Sequence, residues 1–275
     1  MLNLNDINEW KKLDSPFDNS EDIPSLIEKL KQTFDKEILN ELTSEYMYHQ
    51  GSLYGVTFAT FPYLIEISES TINQDYRLET LISLSVILSE FGGKTELKSI
   101  FLNSKCKKET IEDIIKSFEN SSQKLHPIAL SLMEFIETRE EYEKKYFLLA
   151  LAVANEIYQV STIFWRYAES DEFECCCPNC KDIMLISKDS KKDEFFLHKE
   201  YPFEKNATKF TIEPKIIDKS NFSERISFDK NIQWLNYYIE KFNIKSLKTV
   251  IKYIFGNTNC PNCNTKFKIF DNIPT

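Results

Sequence analysis

Hydrophobic residues recur every three to four positions through the first 168 residues, the spacing of an amphipathic α-helix. The clearest run contains Leu78, Leu81, Leu84 and Leu88. The same pattern predicts helices over residues 5–13, 22–34, 35–46, 56–67, 76–91, 97–102, 110–118, 127–136 and 142–158, or on to 166. Because each apolar stripe must be covered by a neighbour, we expect antiparallel helix pairs.

The pattern changes at Asp171. Short apolar segments predict strands over 173–176, 183–188, 195–198, 207–212 and 267–270. Helical spacing returns for two late helices, one through Ile232 and Phe242 and one through Leu247 and Ile254. The sequence therefore predicts a mainly α protein with a helical scaffold over residues 1–168. A small β-rich module with two helices follows over residues 169–275.

Two copies of the tetrapeptide CPNC, at 177–180 and 260–263, contain four of the seven cysteines. Apolar residues follow each copy at the fourth and sixth positions, as in a zinc knuckle that leads into a strand. Four thiolates satisfy tetrahedral Zn²⁺, so we predict one structural zinc ion held by Cys177, Cys180, Cys260 and Cys263. The 80 residues between the pairs exceed the spacing of compact ribbons, but a folded insertion can bring its ends together.

Other interpretations of these cysteines stay open: a redox Cys-x-x-Cys pair, an iron–sulfur cluster, two separate sites, or no site. A redox pair usually precedes a helix, whereas strand-like residues follow both motifs here. Four cysteines also satisfy an iron–sulfur cluster by count. The adjacent Cys175 and Cys176 are alternative ligands to Cys177.

Charge is unevenly distributed along the chain. Residues 1–170 contain 17 Lys and Arg against 28 Asp and Glu, whereas residues 171–275 contain 17 against 15. An acidic surface repels phosphate backbones and attracts basic proteins, although it also simply confers solubility. We therefore expect a protein partner and no nucleic acid in the N-terminal part.

The remaining composition argues against several function classes. The five glycines form no phosphate-binding loop, and His49, His126 and His198 have no catalytic or metal-ligand spacing, so we predict no enzyme. No apolar run is long enough for a membrane span, and the N-terminus does not resemble a signal peptide. Seven cysteines, an odd number, fit a reducing cytoplasm.

A polar and aromatic segment, His49-Gln50-Gly51-Ser52-Leu53-Tyr54, joins two predicted helices. It is either a well-packed turn or a recognition loop, because loops on rigid scaffolds often carry binding residues. In the second case His49, Gln50 and Tyr54 are the candidate partner-binding residues.

With Ala59, Pro62 and Leu64, this segment resembles the HQG-(Ser/Thr)-x-Tyr segment of bacterial HEAT-repeat-like proteins. Members of that family also carry late Cys-Pro-x-Cys pairs. The resemblance implies HEAT-like antiparallel repeats, a split zinc ribbon and no enzymatic residues. It also implies a role as partner or immunity protein of a bacterial toxin. Phe58 and Phe61 depart from the family, which has small residues there.

The favoured hypothesis is a cytoplasmic, non-enzymatic protein whose acidic helical surface binds a basic partner, with a toxin as the sharpest candidate. The alternative is a nucleic-acid-associated regulator that reads its target with lysines of the ribbon, namely Lys181, Lys188, Lys191, Lys192, Lys266 and Lys268. The sequence leaves the oligomeric state open.

Overall fold

The computed structural model of the chain describes residues 1–91, 97–167, 172–189, 191–199, 208–216 and 228–274. Most of them are helical, and a small sheet lies in the C-terminal part, as the sequence predicts. The α-helices of these residues are α1 (Ile7–Trp10), α2 (Ile23–Gln32), α3 (Lys36–Asn40), α4 (Gly55–Ser70), α5 (Gln74–Phe91), α6 (Leu97–Ile100), α7 (Lys108–Ser122), α8 (Leu125–Ser131), α9 (Met133–Glu137), α10 (Glu141–Ala154), α11 (Tyr158–Arg166), α12 (Phe228–Phe242) and α13 (Lys245–Ile254). The strands are β1 (Tyr48–His49), β2 (Ser52–Leu53), β3 (Glu172–Cys176), β4 (Ile183–Asp189), β5 (Glu194–His198), β6 (Lys209–Thr211), β7 (Asn257–Asn259) and β8 (Lys266–Lys268).

The chain divides into two compact units. Unit 1 comprises Met1–Arg139 and Leu149–Thr162, and unit 2 comprises Glu140–Leu148 and Ile163–Thr275. This division lies before the expected boundary at residue 168, which is outside the described residues. Glu140–Leu148 is counted with unit 2 because its side chains contact later residues: the Phe147 ring lies 5.7 Å from that of Phe242.

Helix α4 is the central helix of unit 1 and contacts α2, α5, α7 and α8. It is apolar on every side and nearly all of its residues are buried, so other helices must surround it. The helix continues through Pro62, although proline removes one backbone hydrogen bond. Phe58 and Phe61 pack edge-to-face on Phe118 of α7, with ring centroids 4.8 and 5.0 Å apart. Bulky rings at these two positions therefore build the core.

Two predicted helices are each divided in the structure. The helix expected over 127–136 is α8 and α9, which meet at Leu132. The long helix expected over 142–166 is α10 and α11, because Glu156 has a φ of 61° and ends α10. The amides of Glu156 and Ile157 donate to the carbonyls of Val153 and Ala152, a Schellman turn.

The segment expected as one helix over 35–46 changes its hydrogen bonding midway. Helix α3 passes into a π-helix, Glu41–Met47, that leads directly into β1. What the sequence suggested as a loop after it is a short hairpin of β1 and β2. Gln50 and Gly51 have φ values of 48° and 82°, so they form a type I′ turn.

Unit 2 contains an antiparallel sheet in the order β3-β4-β5-β6 and a separate hairpin of β7 and β8. The strands expected over 173–176, 183–188 and 195–198 are β3, β4 and β5. Of the piece expected over 207–212, residue 207 lies outside the described residues and Lys209–Thr211 forms β6. The strand expected over 267–270 is β8, Lys266–Lys268, and Phe270–Asn272 instead forms a 3₁₀ turn.

The sheet and the hairpin approach each other at a glycine. Glu213, just after β6, exchanges two backbone hydrogen bonds with Asn257 of β7, at 2.8 and 3.0 Å. A Cβ atom at Gly256 would lie 2.5 Å from the carbonyl oxygen of Glu213. Only glycine allows this close approach, which directs β7 toward the second CPNC motif.

Among the described residues, every helix is too short or too polar to cross a bilayer.

Candidate metal centre

The four cysteines of the two CPNC motifs lie together in unit 2. The sulfur atoms of Cys177, Cys180, Cys260 and Cys263 are all within 4.8 Å of one another. The Cys177–Cys263 and Cys180–Cys260 pairs are 3.6 and 3.5 Å apart. A tetrahedral ion with metal–sulfur bonds of about 2.3 Å would hold its sulfurs about 3.8 Å apart. The cluster can therefore hold one metal ion, close to its present geometry.

Both motifs have the same backbone fold. The amide of the residue after the second cysteine, Lys181 or Asn264, donates to the carbonyl of the first cysteine, at 3.0 and 2.8 Å. The amide of each first cysteine donates in turn to a carbonyl five residues ahead, at 2.9 Å in both copies. Lys181 and Asn264 have φ values of 63° and 58°. The repeated sequence thus forms two equivalent knuckles that present their sulfurs to one point.

Strands position the two knuckles. The first connects β3 to β4, whose register pairs Cys176 with Ile183, and the second connects β7 to β8, which pair from Asn257 to Asn259. Met184 and Ile186 of β4 are buried, as is Phe267 of β8. Each knuckle is therefore the turn of an antiparallel pair with one face in the core, which the apolar residues after each motif predict.

Hydrogen bonds already favour ionised sulfur at one ligand. The hydroxyl and backbone amide of Thr265, and the side chain of Asn179, lower the pKa of Cys263 to about 5. The Thr265 Oγ1 atom is 3.2 Å from the Cys263 sulfur. Thiolates this close repel one another, and a divalent cation removes that repulsion while it displaces the remaining protons.

The adjacent cysteines are not part of the cluster. Cys175 is fully buried on β3, opposite Met184. Burial, followed by the neighbouring thiols, raises the pKa of Cys175 to about 12, so it remains a thiol. Cys176 is half-buried and points to the other face of the strand. Of the three adjacent cysteines, Cys177 alone belongs to the four-sulfur cluster, because it is the first residue of the knuckle.

A stabilising substitution follows from the first knuckle. Lys181 has a left-handed backbone, which costs about 1–2 kcal/mol for a residue with a Cβ atom and little for glycine. Lys181→Gly also loses a surface hydrogen bond from Nζ to the Pro178 carbonyl. We expect a net gain of about 0.5–1 kcal/mol, measured by thermal unfolding of the metal-loaded protein. Asn264→Gly is the matched control and should change little, because asparagine tolerates this conformation. A less stable Lys181→Gly protein would contradict the argument.

The candidate partner-binding residues lie on and after the β1–β2 hairpin in unit 1. His49 Nδ1 is 3.8 Å from a Glu45 carboxylate oxygen, and Gln50 is exposed in the turn. The half-buried Tyr54 immediately precedes α4, and its amide donates to Thr57 Oγ1 at 3.0 Å. Sequence reasoning missed Phe17, which is 54% exposed and packs edge-on against His49 with centroids 4.9 Å apart.

Among the described residues, the possible metal-binding group contains cysteines and no histidine. His198 forms a buried pair with Ser187, with Nε2 and Oγ 3.0 Å apart. Burial, and next the charge of Lys209, lowers the pKa of His198. With 2% of its surface exposed, His198 offers no access to a substrate.

Several lysines of the alternative nucleic-acid surface already have partners. Lys188 and Lys266 form ion pairs with Asp193 and Glu213, at 2.8 and 2.7 Å. Lys181 binds the Pro178 carbonyl within its own knuckle. The charges of Lys188 and Lys266 are therefore partly neutralised before any phosphate approaches, whereas Lys181 keeps its charge.

Comparison of the chain with protein-family models, with curated proteins and with solved structures finds no match.

Proposed function

We propose that this chain is a non-enzymatic, cytoplasmic protein whose acidic unit 1 binds a basic protein, while one zinc ion closes unit 2. The observation that carries the proposal is the separation of charge between the units. Unit 1 contains 14 Lys and Arg against 24 Asp and Glu, and unit 2 contains 20 against 19. Unit 1 alone therefore has an excess of ten carboxylates, which favours association with a basic surface.

Ion pairs inside unit 1 leave this excess intact. Among the described residues, at least seven of its cations pair with carboxylates, as in the Lys31–Glu66 and Arg139–Asp75 contacts of 3.5 and 2.9 Å. Each such pair uses one cation and one carboxylate, so the surplus of ten does not change. A basic partner would supply the missing counter-charges.

Four carboxylates of unit 1, Glu21, Asp22, Glu41 and Glu45, lie near Tyr46 and the hairpin, and we call this group the acidic face. Burial is the largest cause of the raised pKa of Tyr46, and Asp22, Glu41 and Glu21 follow it. These carboxylates therefore lie near enough to Tyr46, two residues before β1, for their charges to act on its hydroxyl. Glu45 lies beside His49 in the same segment. The exposed ring of Phe17 adds an aromatic anchor of the kind that binding hot spots use.

Co-purification from the native host tests the proposal. A triple variant of the acidic face, Asp22→Asn, Glu41→Gln and Glu45→Gln, should lose a basic partner that the wild-type chain retains. Retention should also weaken with salt. Neutralising three exposed carboxylates of unit 2, Glu174, Glu194 and Asp271, is the matched control and should leave retention unchanged. A partner that is acidic, or that both variants retain equally at all salt concentrations, would contradict the proposal.

A toxin is the partner that the family resemblance implies, and growth tests this part separately. Expression of the identified partner alone should arrest the host, and co-expression of this chain should restore growth. The acidic-face variant should fail to restore it. Normal growth with the partner alone would mean that the basic partner is not a toxin.

HEAT-like stacking of the unit 1 helices remains a prediction of the resemblance.

Four thiolate ligands that leave no open coordination position are the donor set of a structural zinc site. Elemental analysis of the purified chain should find one zinc per chain. A ratio near zero or two, or iron in place of zinc, would contradict the single zinc site.

A further inference from the structure

A cleft of about 320 Å³ opens in unit 1, far along the chain from the acidic face. Two interhelical turns form its sides: the turn from α7 to α8 and the turn from α10 to α11. Leu88, Leu125 and Val153 supply buried apolar walls. A volume of this size is at the lower end of the range for small-molecule sites and is enough for one long side chain.

The polar side chains that line the cleft are available to a ligand. The side chains of Gln123, His126 and Glu156 are exposed and make no hydrogen bond or ion pair with any other described residue. Asn155 donates its amide to the Leu151 carbonyl at 2.7 Å, and its Oδ1 atom still accepts. Polar groups that converge on a concave apolar site without partners are typical of binding sites.

One negative charge sets the sign of the cleft. Glu156 is the one carboxylate among its described lining residues. Burial, and next the charge of Glu156, raises the pKa of the Tyr158 hydroxyl. The nearest cation in sequence, Lys124, is engaged by Glu69 at 2.6 Å. Two helices end at the cleft and two begin there, so their macrodipoles offset one another. The carboxylate of Glu156 therefore determines the sign of the charge in the cleft.

The backbone makes Glu156 an unusual choice. Its φ of 61° is the left-handed position of the Schellman turn, which glycine or asparagine occupies at lower cost. Asparagine stands one position earlier, at Asn155. The chain therefore carries a carboxylate where the fold alone favours a residue without one.

We propose that this cleft binds a guanidinium group. The five N–H donors of this planar cation match the acceptors of Glu156, Asn155 and Tyr158, and its alkyl stem would lie along Leu88 and Val153. The group can belong to an arginine of a protein partner or to a free guanidine metabolite. The idea that the guanidinium belongs to an arginine of a protein partner rests on the proposed function. Binding of a guanidinium group by the cleft does not depend on it.

Titration of the purified full-length chain with N-acetyl-arginine methylamide tests the cleft without any partner. We expect saturable NMR shifts of the side-chain amides of Gln123 and Asn155, and none with the norleucine analogue. Glu156→Gln should weaken binding about two- to fivefold, because the lost ion pair is at an exposed carboxylate that water screens. The control is Glu109→Gln at the other end of α7, about 20 Å along the helix, and it should bind as the wild type does. No saturable shift, or unchanged binding in Glu156→Gln, would overturn the proposal.

A second variant separates binding from folding. Glu156→Gly removes the carboxylate and relieves the left-handed backbone, so we expect a more stable protein that binds the arginine compound more weakly, as Glu156→Gln does. A stabilised variant with unchanged binding would overturn the proposal, because Glu156 would then serve the turn alone. Free L-arginine distinguishes the sources: equal affinity for the blocked and free forms indicates a chain-borne arginine, and tighter binding of the free amino acid indicates a metabolite. Failure of this titration would leave the acidic-face experiment unaffected.

Discussion

Cys180→Ser should release the metal and unfold unit 2 while unit 1 remains folded. The four sulfurs lie within 4.8 Å of one another, so one hydroxyl in place of a thiolate opens the tetrahedral set. Zinc binding in small metal-dependent domains contributes about 10–16 kcal/mol, which is as large as the roughly 5–15 kcal/mol stability of an ordinary domain. Elemental analysis should therefore find far less than one zinc per chain. Hydrogen exchange should show lost protection in β3–β8 and retained protection in α2, α4 and α5.

Two cysteines outside the cluster are controls for this substitution. Cys176 neighbours the ligands but is half-buried on the other face of β3, and Cys106 lies in unit 1. Cys176→Ser and Cys106→Ser should both retain the metal and the exchange pattern. A similar loss in Cys176→Ser, or full metal content in Cys180→Ser, would mean that the ligand set is wrong.

Phe118→Ala should be the most damaging single change in unit 1. The ring lies edge-to-face with those of Phe58, Phe61 and Phe91, at centroid distances of 4.8, 5.0 and 6.2 Å. Removal of a buried phenylalanine costs about 3–5 kcal/mol, which corresponds to a fall of roughly 6–20 °C in the melting temperature of a unit of this size. Thermal unfolding followed by circular dichroism measures the change, and the metal content should stay at the wild-type value.

The matched control is Phe17→Ala, which removes an equally large ring that is 54% exposed. It should shift the melting temperature by only a few degrees, because little apolar surface leaves the core. If the two variants were equally stable, the aromatic cluster around Phe118 would not be the core of unit 1.

The sequence predicted the four-cysteine cluster and most strands because their signals are local. Each CPNC motif forms the same knuckle, and the motif begins at Cys177 and not at Cys176. Helix α5 was predicted almost to the residue, since its leucines repeat regularly and Asn73 caps its start with hydrogen bonds from two backbone amides. In these places the local preference and the tertiary structure agree.

The misses have physical reasons. Apolar residues continue from α10 into α11, and the break falls at Glu156, which carries no helix-ending signal of the glycine kind. The π-helix before β1 leaves no trace in composition, because its hydrogen-bond shift depends on packing. The sequence could have predicted the hairpin, because two residues with a glycine in second place, Gln50 and Gly51, separate two pairs of strand residues. It could not have predicted the cleft, because turns about 30 residues apart form it.

The separation of the two knuckles has a consequence for biosynthesis. At about 5–20 residues per second, some 4–16 seconds pass between the translation of Cys180 and that of Cys260. During that interval the nascent chain offers Cys175, Cys176, Cys177 and Cys180 as four reduced thiols within six residues, and no correct partner for any metal they capture. Assembly of the site therefore depends on how quickly a wrongly bound ion exchanges. We expect the cellular zinc supply and the thiol-reducing capacity to determine the yield of mature protein. Their effect should be larger than that of the intrinsic stability of either unit.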